Sequence, residues 1–304
     1  MPITPDVTVV MVTRDRRERT LASVERLCEL PERPPIILID NASSDGTADA
    51  VERRYASVSV VRLGRNLGAA GRNVGVERAR TPFVAFSDDD SWWARGSLAR
   101  AAELLNGHPN VATIAARVLV GPEERVDPLC AELASSPLAH RHPDSPGTAV
   151  LGFVACGAIV RRAPFLAVGG FSPRFGVGGE EELFSIDVAT AGWDLSYVDE
   201  VVAHHHPARA SGRADRRIVQ TRNAIWTAWL RLPFATAARR TARLVDVHDG
   251  ASFAGLAQAV GGLPWVLRGR RVAAPAVLGS LAILEVIPRT VPTPRASASS
   301  GPSA

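Results

Sequence analysis

The chain has 304 residues, 46% hydrophobic and 22% charged, with a formal net charge of +4 and 35 basic residues, every one an arginine. That apolar content excludes intrinsic disorder over most of its length. The absence of lysine excludes a Walker A phosphate loop, a protein-kinase site and a pyridoxal Schiff base, all of which need a lysine amine.

Val7 to Thr13 (VTVVMVT) is a continuous β-branched run, as expected of a parallel strand covered on both faces. Helical spacing of Leu21, Val24 and Leu27 predicts a helix over Arg17 to Leu30, stopped by Pro31. A second strand, Ile36 to Ile39, leads to Asp40-Asn41 and a Ser44-Asp45-Gly46-Thr47 turn. A helix over Ala48 to Tyr55, a strand Val58 to Leu63, a helix Gly71 to Ala79 and a strand Phe83 to Phe86 follow. This rhythm predicts an open α/β sheet, whose ligands bind at the carboxyl ends of its strands. Polar residues fall there four times: Thr13-Arg14-Asp15, Asp40-Asn41, Arg65-Asn66 and Asp88-Asp89-Asp90.

Further along, Gly121 to Gly147 reads as a long loop and Val150 to Val160 as a small-residue strand. A Gly-rich piece, Gly176 to Gly179, precedes a helix from Glu180 to Ala191, and the strand Leu195 to Ala203 ends in His204-His205-His206. Beyond about residue 215 the pattern is helical. We expect a catalytic domain over 1–215, a helical extension over 216–288 and a disordered tail over 289–304.

The acidic triple at a strand end calls for a cation, because adjacent carboxylates repel. A hard divalent ion that also holds phosphate oxygens meets that need. In an extended segment alternate residues share a face, so His204 and His206 are expected to point into one crevice and His205 away. Glu180-Glu181-Glu182 suits the positive end of a helix dipole, and a carboxylate bared by the Gly-rich approach is a candidate general base.

The ordered set VTVVMVTRDR, ILIDNASSDGT, RNLGAAGRNVGVERA, FVAFSDDDSWW, GGEEELFSIDVATAGW and VVAHHH resembles the family 2 glycosyltransferases of GT-A fold, in particular rhamnosyl- and galactofuranosyl-transferring members, over about residues 7 to 230. The resemblance implies inverting transfer of a sugar from a UDP-, dTDP- or GDP-linked donor to a carbohydrate, lipid-linked or small-molecule acceptor. It implies a nucleotide site at Thr13, Arg14, Asp40, Asn41, Arg65, Asn66, Arg72, Asp88 and Asp89. It also implies Mn²⁺ or Mg²⁺ at Asp88 and Asp90 with His204 and His206, and a base at Glu181 or Glu180. The family's usual Asp at the base position is a Glu here, which leaves the choice among the three glutamates open. Asp187 stands where many relatives carry an arginine.

A dinucleotide-dependent oxidoreductase would need GxGxxG directly after the first strand, where Thr13 to Arg17 has no glycine. A nucleotidyltransferase would need a Gly-rich basic loop at the same place. The arginine runs also leave open a non-catalytic scaffold on a membrane surface, and since they lack interleaved aromatics no nucleic-acid partner is expected.

Three isolated cysteines without CxxC spacing read as ordinary thiols of a reducing compartment. No signal-like segment is present, and the apolar stretch Val272 to Leu284 is shorter than the roughly 18–20 residues that span a bilayer. The expected location is cytoplasmic, with Arg268 to Arg271 and the adjoining apolar stretch touching the inner face of the membrane.

Overall fold

A computed structural model describes residues 6–207, 213–245 and 249–286. The first strand, β1 (Val7–Thr13), is followed by α1 (Arg17–Cys28), β2 (Ile36–Asp40), α2 (Thr47–Arg54), β3 (Val58–Arg62), α3 (Gly71–Arg78) and β4 (Phe83–Asp88). All lie where the sequence predicts them, and β3-β2-β1-β4 pair in parallel.

The second half is mixed. It contains β5 (Ser91–Trp93), α4 (Ser97–Gly107), β6 (Val111–Val120), β7 (Arg125–Val126), α5 (Pro128–Ala134), β8 (Thr148–Ala149), β9 (Ala158–Arg161), α6 (Arg162–Ala167), α7 (Glu180–Thr190) and β10 (Asp194–His205). Strand β9 lies antiparallel between β4 and β6, and β10 runs parallel to β6, so the sheet order continues β9-β6-β10-β5.

Two expectations are corrected here. The strand expected over Val150 to Val160 is confined to Ala158–Arg161, because a 3₁₀ turn over Ala155–Gly157 precedes it. The segment expected as a loop, Gly121 to Gly147, holds β7 and also α5, which Asp127 caps by accepting the Leu129 N–H at 2.9 Å with Pro128 at the first helical position.

Side chains on β1 alternate between two cores. Val7, Val9 and Met11 pack with Val24 and Leu27 of α1 and Leu98 of α4, whereas Val10 packs with Val76 of α3 and the aromatic cluster Phe86, Phe165, Phe171 and Phe184. Helices therefore cover both faces.

The chain ends in α8 (Arg213–Arg231), α9 (Phe234–Leu244), α10 (Gly250–Gly261), α11 (Leu263–Arg268) and α12 (Pro275–Val286). Among the described residues no helix is long and apolar enough to cross a membrane. The tail expected over 289–304 lies outside the described residues.

Candidate active site

Strand alternation sorts the acidic triple. Val84 and Phe86 face α3 and α7, and Asp88 continues that row. Its carboxylate is paired with the Arg72 guanidinium, whose side chain is only 6% exposed. Burying a guanidinium costs several kcal/mol unless it is paired, and the charges of Asp88, Glu180 and Glu181 surround this one.

Asp89 points the other way. Its carboxylate accepts from Arg16 Nη1 at 3.0 Å and from Thr13 Oγ1 at 3.3 Å, beneath α1. Burial, reinforced by Asp90, pushes Asp89 up to about 6 despite Arg16. Asp90 lies 3.4 Å from Arg16 Nη1, 3.5 Å from Arg19 Nη1 and 3.4 Å from His205 Nε2. Burial raises its pKa, but the His205 hydrogen bond and charge, with the two arginines, outweigh that and hold the carboxyl below its usual range.

The phase of the histidines is therefore opposite to the one expected. His205 faces Asp90. His204 stacks on Trp92 with ring centroids 5.3 Å apart, Glu124 lies 3.2 Å from its Nδ1, and His206 meets the same indole edge-on at 4.7 Å. The cause is a register shift in β10: Val198 pairs with Ala116 but Val202 with Arg117, so three extra residues reset the alternation. Leu195 and Tyr197 accordingly belong to one core, Val201 and Ala203 to the other.

At the carboxyl ends of β1 and β2, buried Asp40 accepts the Ser43 N–H at 3.1 Å through Oδ1 and borders a cleft of about 400 Å³, also lined by Ala42, Ser44 and Arg62. Asp15 ties the β1 and β2 loops together, accepting from Ser44 N at 2.6 Å while its own N–H donates to Ser43 Oγ at 3.0 Å. Ala42 sits at φ +60°, a conformation costing of order 1–3 kcal/mol for a side-chain-bearing residue and found mostly at functional loops.

Arg14 and Arg65 are exposed at this edge. Of the other polar candidates, Thr13 and Asn41 are buried and Asn66 is exposed. Asn41 spans the neighbouring loop, donating to Gly68 O and accepting from Leu67 N, both at 3.1 Å. Asn66 folds onto Gly68 N at 2.8 Å, and the Thr13 hydroxyl is shared with Thr20 at 2.7 Å.

The three glutamates of α7 differ in their partners. Glu180 is buried and accepts the Gly178 N–H, and Glu182 is paired with Arg240 of α9. Glu181 is partly accessible, and its carboxylate, which accepts from its own backbone N–H, is paired with no other residue among those described. Desolvation, then the adjacent Glu180 charge, push Glu181 up to about 7, while Arg72 pulls against them.

Asn223 of α8, fully buried, donates to Phe175 O at 2.9 Å and to Gly178 O at 2.6 Å, holding the loop ahead of these acids. The same loop approaches the β3–α3 turn so closely, with Ala69 N 2.7 Å from Gly176 O, that a Cβ at Gly68 would lie 2.4 Å from that oxygen. Asp187 forms a two-pronged pair with Arg231 of α8.

Residues 8–169 match the family model described as Glycosyl transferase family 2. The chain belongs to that family. It is 26% identical over 243 residues to the N-acetylglucosaminyl-diphospho-decaprenol L-rhamnosyltransferase of Mycobacterium tuberculosis, a match covering 69% of this chain and 78% of the relative. It is also 32% identical over 214 residues to the pre-mycofactocin glycosyltransferase of the same organism, covering 66% of this chain and 43% of the relative.

Two solved structures share its fold. One is the mannosyltransferase PcManGT from Pyrobaculum calidifontis in complex with GDP-Man and Mn²⁺ (TM-score 0.58, 20% identity, 94% of this chain and 76% of that one). The other is S. aureus TarS 1-349 in complex with UDP-GlcNAc (TM-score 0.56, 16% identity, 93% and 81%). The protein is thus a glycosyltransferase, with the expected GT-A type of sheet and additional C-terminal helices.

Sequence reasoning about this glycosyltransferase missed Arg16, Arg19, His205 and Asn223. The first two stand in the run RDRRER directly after β1, where they are one turn from the strand end. His205 required the register shift, and nothing local marks Asn223. As for a metal, no group of three or more His, Cys, Asp or Glu side chains is gathered at metal-holding distance among the described residues. Asp90 and His205 form a pair, with Asp88 at the same strand end. Small hard cations commonly take one or two protein carboxylates and complete their shell from substrate phosphates and water, and of such a shell the Asp90–His205 pair supplies one carboxylate and one imidazole.

Proposed function

We propose that this glycosyltransferase transfers a sugar from a UDP-, dTDP- or GDP-linked donor to an acceptor hydroxyl by a single inverting displacement, with Glu181 as the base. One observation carries the reading: of the three glutamates opening α7, Glu181 alone is paired with no other residue among those described, and its carboxyl is held at about 7. A base poised near neutrality combines ionisation with useful proton affinity.

The donor's base and ribose would lie against Asp40 and Arg14, whose side chains border the β1–β2 edge, and the diphosphate beside Asp88 and Asp90. Arg16, Arg19 and Arg72 already neutralise the acidic triple, so an incoming diphosphate meets less repulsion there. Asp90 and His205 would contribute ligands to Mn²⁺ or Mg²⁺, which when bound supplies positive charge against the diphosphate leaving group. Glu181 takes the hydroxyl proton as that oxygen attacks the anomeric carbon from the side opposite the diphosphate, which inverts the configuration. The rhamnosyltransferase relative, named for a diphospho-decaprenol-linked acceptor, supports a lipid-linked acceptor for this chain as well.

Glu181→Gln tests the assignment. Transfer should fall by about 10²- to 10⁴-fold, while donor affinity measured by calorimetry stays within about twofold. Full turnover in this variant, or a glycosidic product that keeps the donor configuration, would overturn the reading.

A further inference from the structure

Helices α10 and α11 follow one another almost without a break: Gly262 N bonds Ala259 O at 3.0 Å and Val266 N bonds Gly262 O at 3.1 Å. Ser252, Gly255, Ala259, Gly262 and Val266, alternately three and four residues apart, form their buried face. This face packs on α8, where a Cβ at Gly255 would come 2.8 Å from the Ile218 carbonyl oxygen, and Trp226 Nε1 donates to Ala259 O at 3.0 Å.

A second row with the same spacing, Phe253, Ala257, Val260, Pro264 and Leu267, points outward, and Phe253, Val260 and Leu267 are 59%, 55% and 50% exposed. At about 100° per residue the two rows lie on opposite sides of the helix. Single exposed apolar residues need no explanation, but a continuous outward row at helical period is an interaction surface.

The free charge on α10 and α11 is basic, since Asp249, which caps α10, is paired with Arg217 at 3.0 Å. From Gly250 to Leu284 there is no acidic residue and three arginines, Arg268, Arg270 and Arg271. Arg270 is used internally, donating to the Trp229 and Leu232 carbonyls. Arg268 and Arg271 are exposed, and among the described residues neither guanidinium meets a carboxylate.

We infer that the α10–α11 row docks this protein on an anionic lipid surface. The apolar side chains enter the headgroup boundary, and Arg268 and Arg271 lie at the phosphates. This adds the α10–α11 row to the Arg268 to Arg271 cluster on which the sequence expectation rested; of the adjoining stretch, Val272 and Ile283 are exposed. In the stretch Val272 to Leu284, Ala273 and Val277 are buried, and Leu278 and Leu281 pack against Ala228, Leu232 and Ala237. The inference stands on this surface alone and does not depend on the transfer chemistry proposed above.

Co-sedimentation of the full chain with vesicles of equal parts phosphatidylglycerol and phosphatidylcholine, or of phosphatidylcholine alone, tests it at low and high salt. Binding is expected to the anionic vesicles, weaker at high salt and weaker by about fivefold for each of Arg268→Ala and Arg271→Ala. The triple change Phe253→Ser, Val260→Ser and Leu267→Ser should lower it about tenfold or more with the melting temperature kept. Leu267→Ser alone, at an exposed site, gives the same direction should the triple variant misfold. No binding to either vesicle, or equal binding by the serine variants, would overturn the inference. So would a self-association in sedimentation equilibrium that the triple change abolishes without any vesicle binding, which would assign the row to a second copy of the chain.

Discussion

The side-chain amide of Asn223 lies 2.6 Å from the carbonyl oxygen of Gly178, two residues before Glu180. Gly178 and Gly179 have φ of +100° and +88°, which side-chain-bearing residues rarely adopt, and a Cβ at Gly179 would meet Asn223 Cβ at 3.3 Å. A buried amide on α8 thus fixes how the chain enters α7. Asn223→Ala would leave the Gly178 carbonyl without its donor, while the Phe175 carbonyl keeps Arg222 Nη2 at 2.7 Å. We expect a stability loss of about 2–3 kcal/mol in denaturant titrations and a kcat reduced about tenfold or more, with the donor Kd unchanged. An unaltered kcat would show that the loop is positioned by other contacts.

The pH dependence follows from Glu181. Its folded pKa, about 7, lies above its ordinary 4.5, so between those values the folded protein holds a proton that the unfolded chain has released. Its contribution to stability therefore falls as pH rises from about 4.5 to about 7 and is level above that. The base form needed for transfer appears over the same window. We expect kcat/KM to rise through about pH 7 and then plateau, and the difference in melting temperature between Glu181→Gln and the parent to widen in favour of the variant from pH 5 to pH 8.

Arg72 lowers the proton affinity of Glu181 and pairs with Asp88. Arg72→Met should move the midpoint of the kcat/KM profile to higher pH. It should also cost about 3–5 kcal/mol of stability, since one partner of a buried pair is removed. A profile that stays in place would disconnect Arg72 from the base.

His205 and His204 are adjacent in sequence but differ in role. His205→Ala should weaken Mn²⁺ binding, followed by calorimetry in the presence of nucleoside diphosphate, by about 10- to 100-fold. His204→Ala should leave ion affinity within about twofold and lower stability by about 1 kcal/mol through the lost Trp92 stack. The reverse pattern would restore the simple alternation read from the sequence.

The first four strands were legible because a doubly covered parallel strand is written as an unbroken apolar run, and VTVVMVT and IILI are such runs. Strand β6 and helix α4 went unread: Arg117 interrupts one, and Ser97 follows a glycine cap that carries no capping side chain. The strand-end placement of the polar residues was visible. What each side chain does there was not, because Asn41 and Thr13 are spent on backbone and hydroxyl partners that only the fold brings near. The histidine phase depended on the register shift between Val198 and Val202, and Asp199-Glu200 within it looks like any exposed turn.

Two ion pairs carry a consequence for how the molecule is put together. Arg231 holds Asp187 and Arg240 holds Glu182, both on the helix that bears the proposed base. Ending the chain after β10 would strip these acids of their counter-charges and uncap Leu183, which packs with Ile225 and Trp226. The trailing helices are thereby the floor on which the glutamate-bearing turn rests.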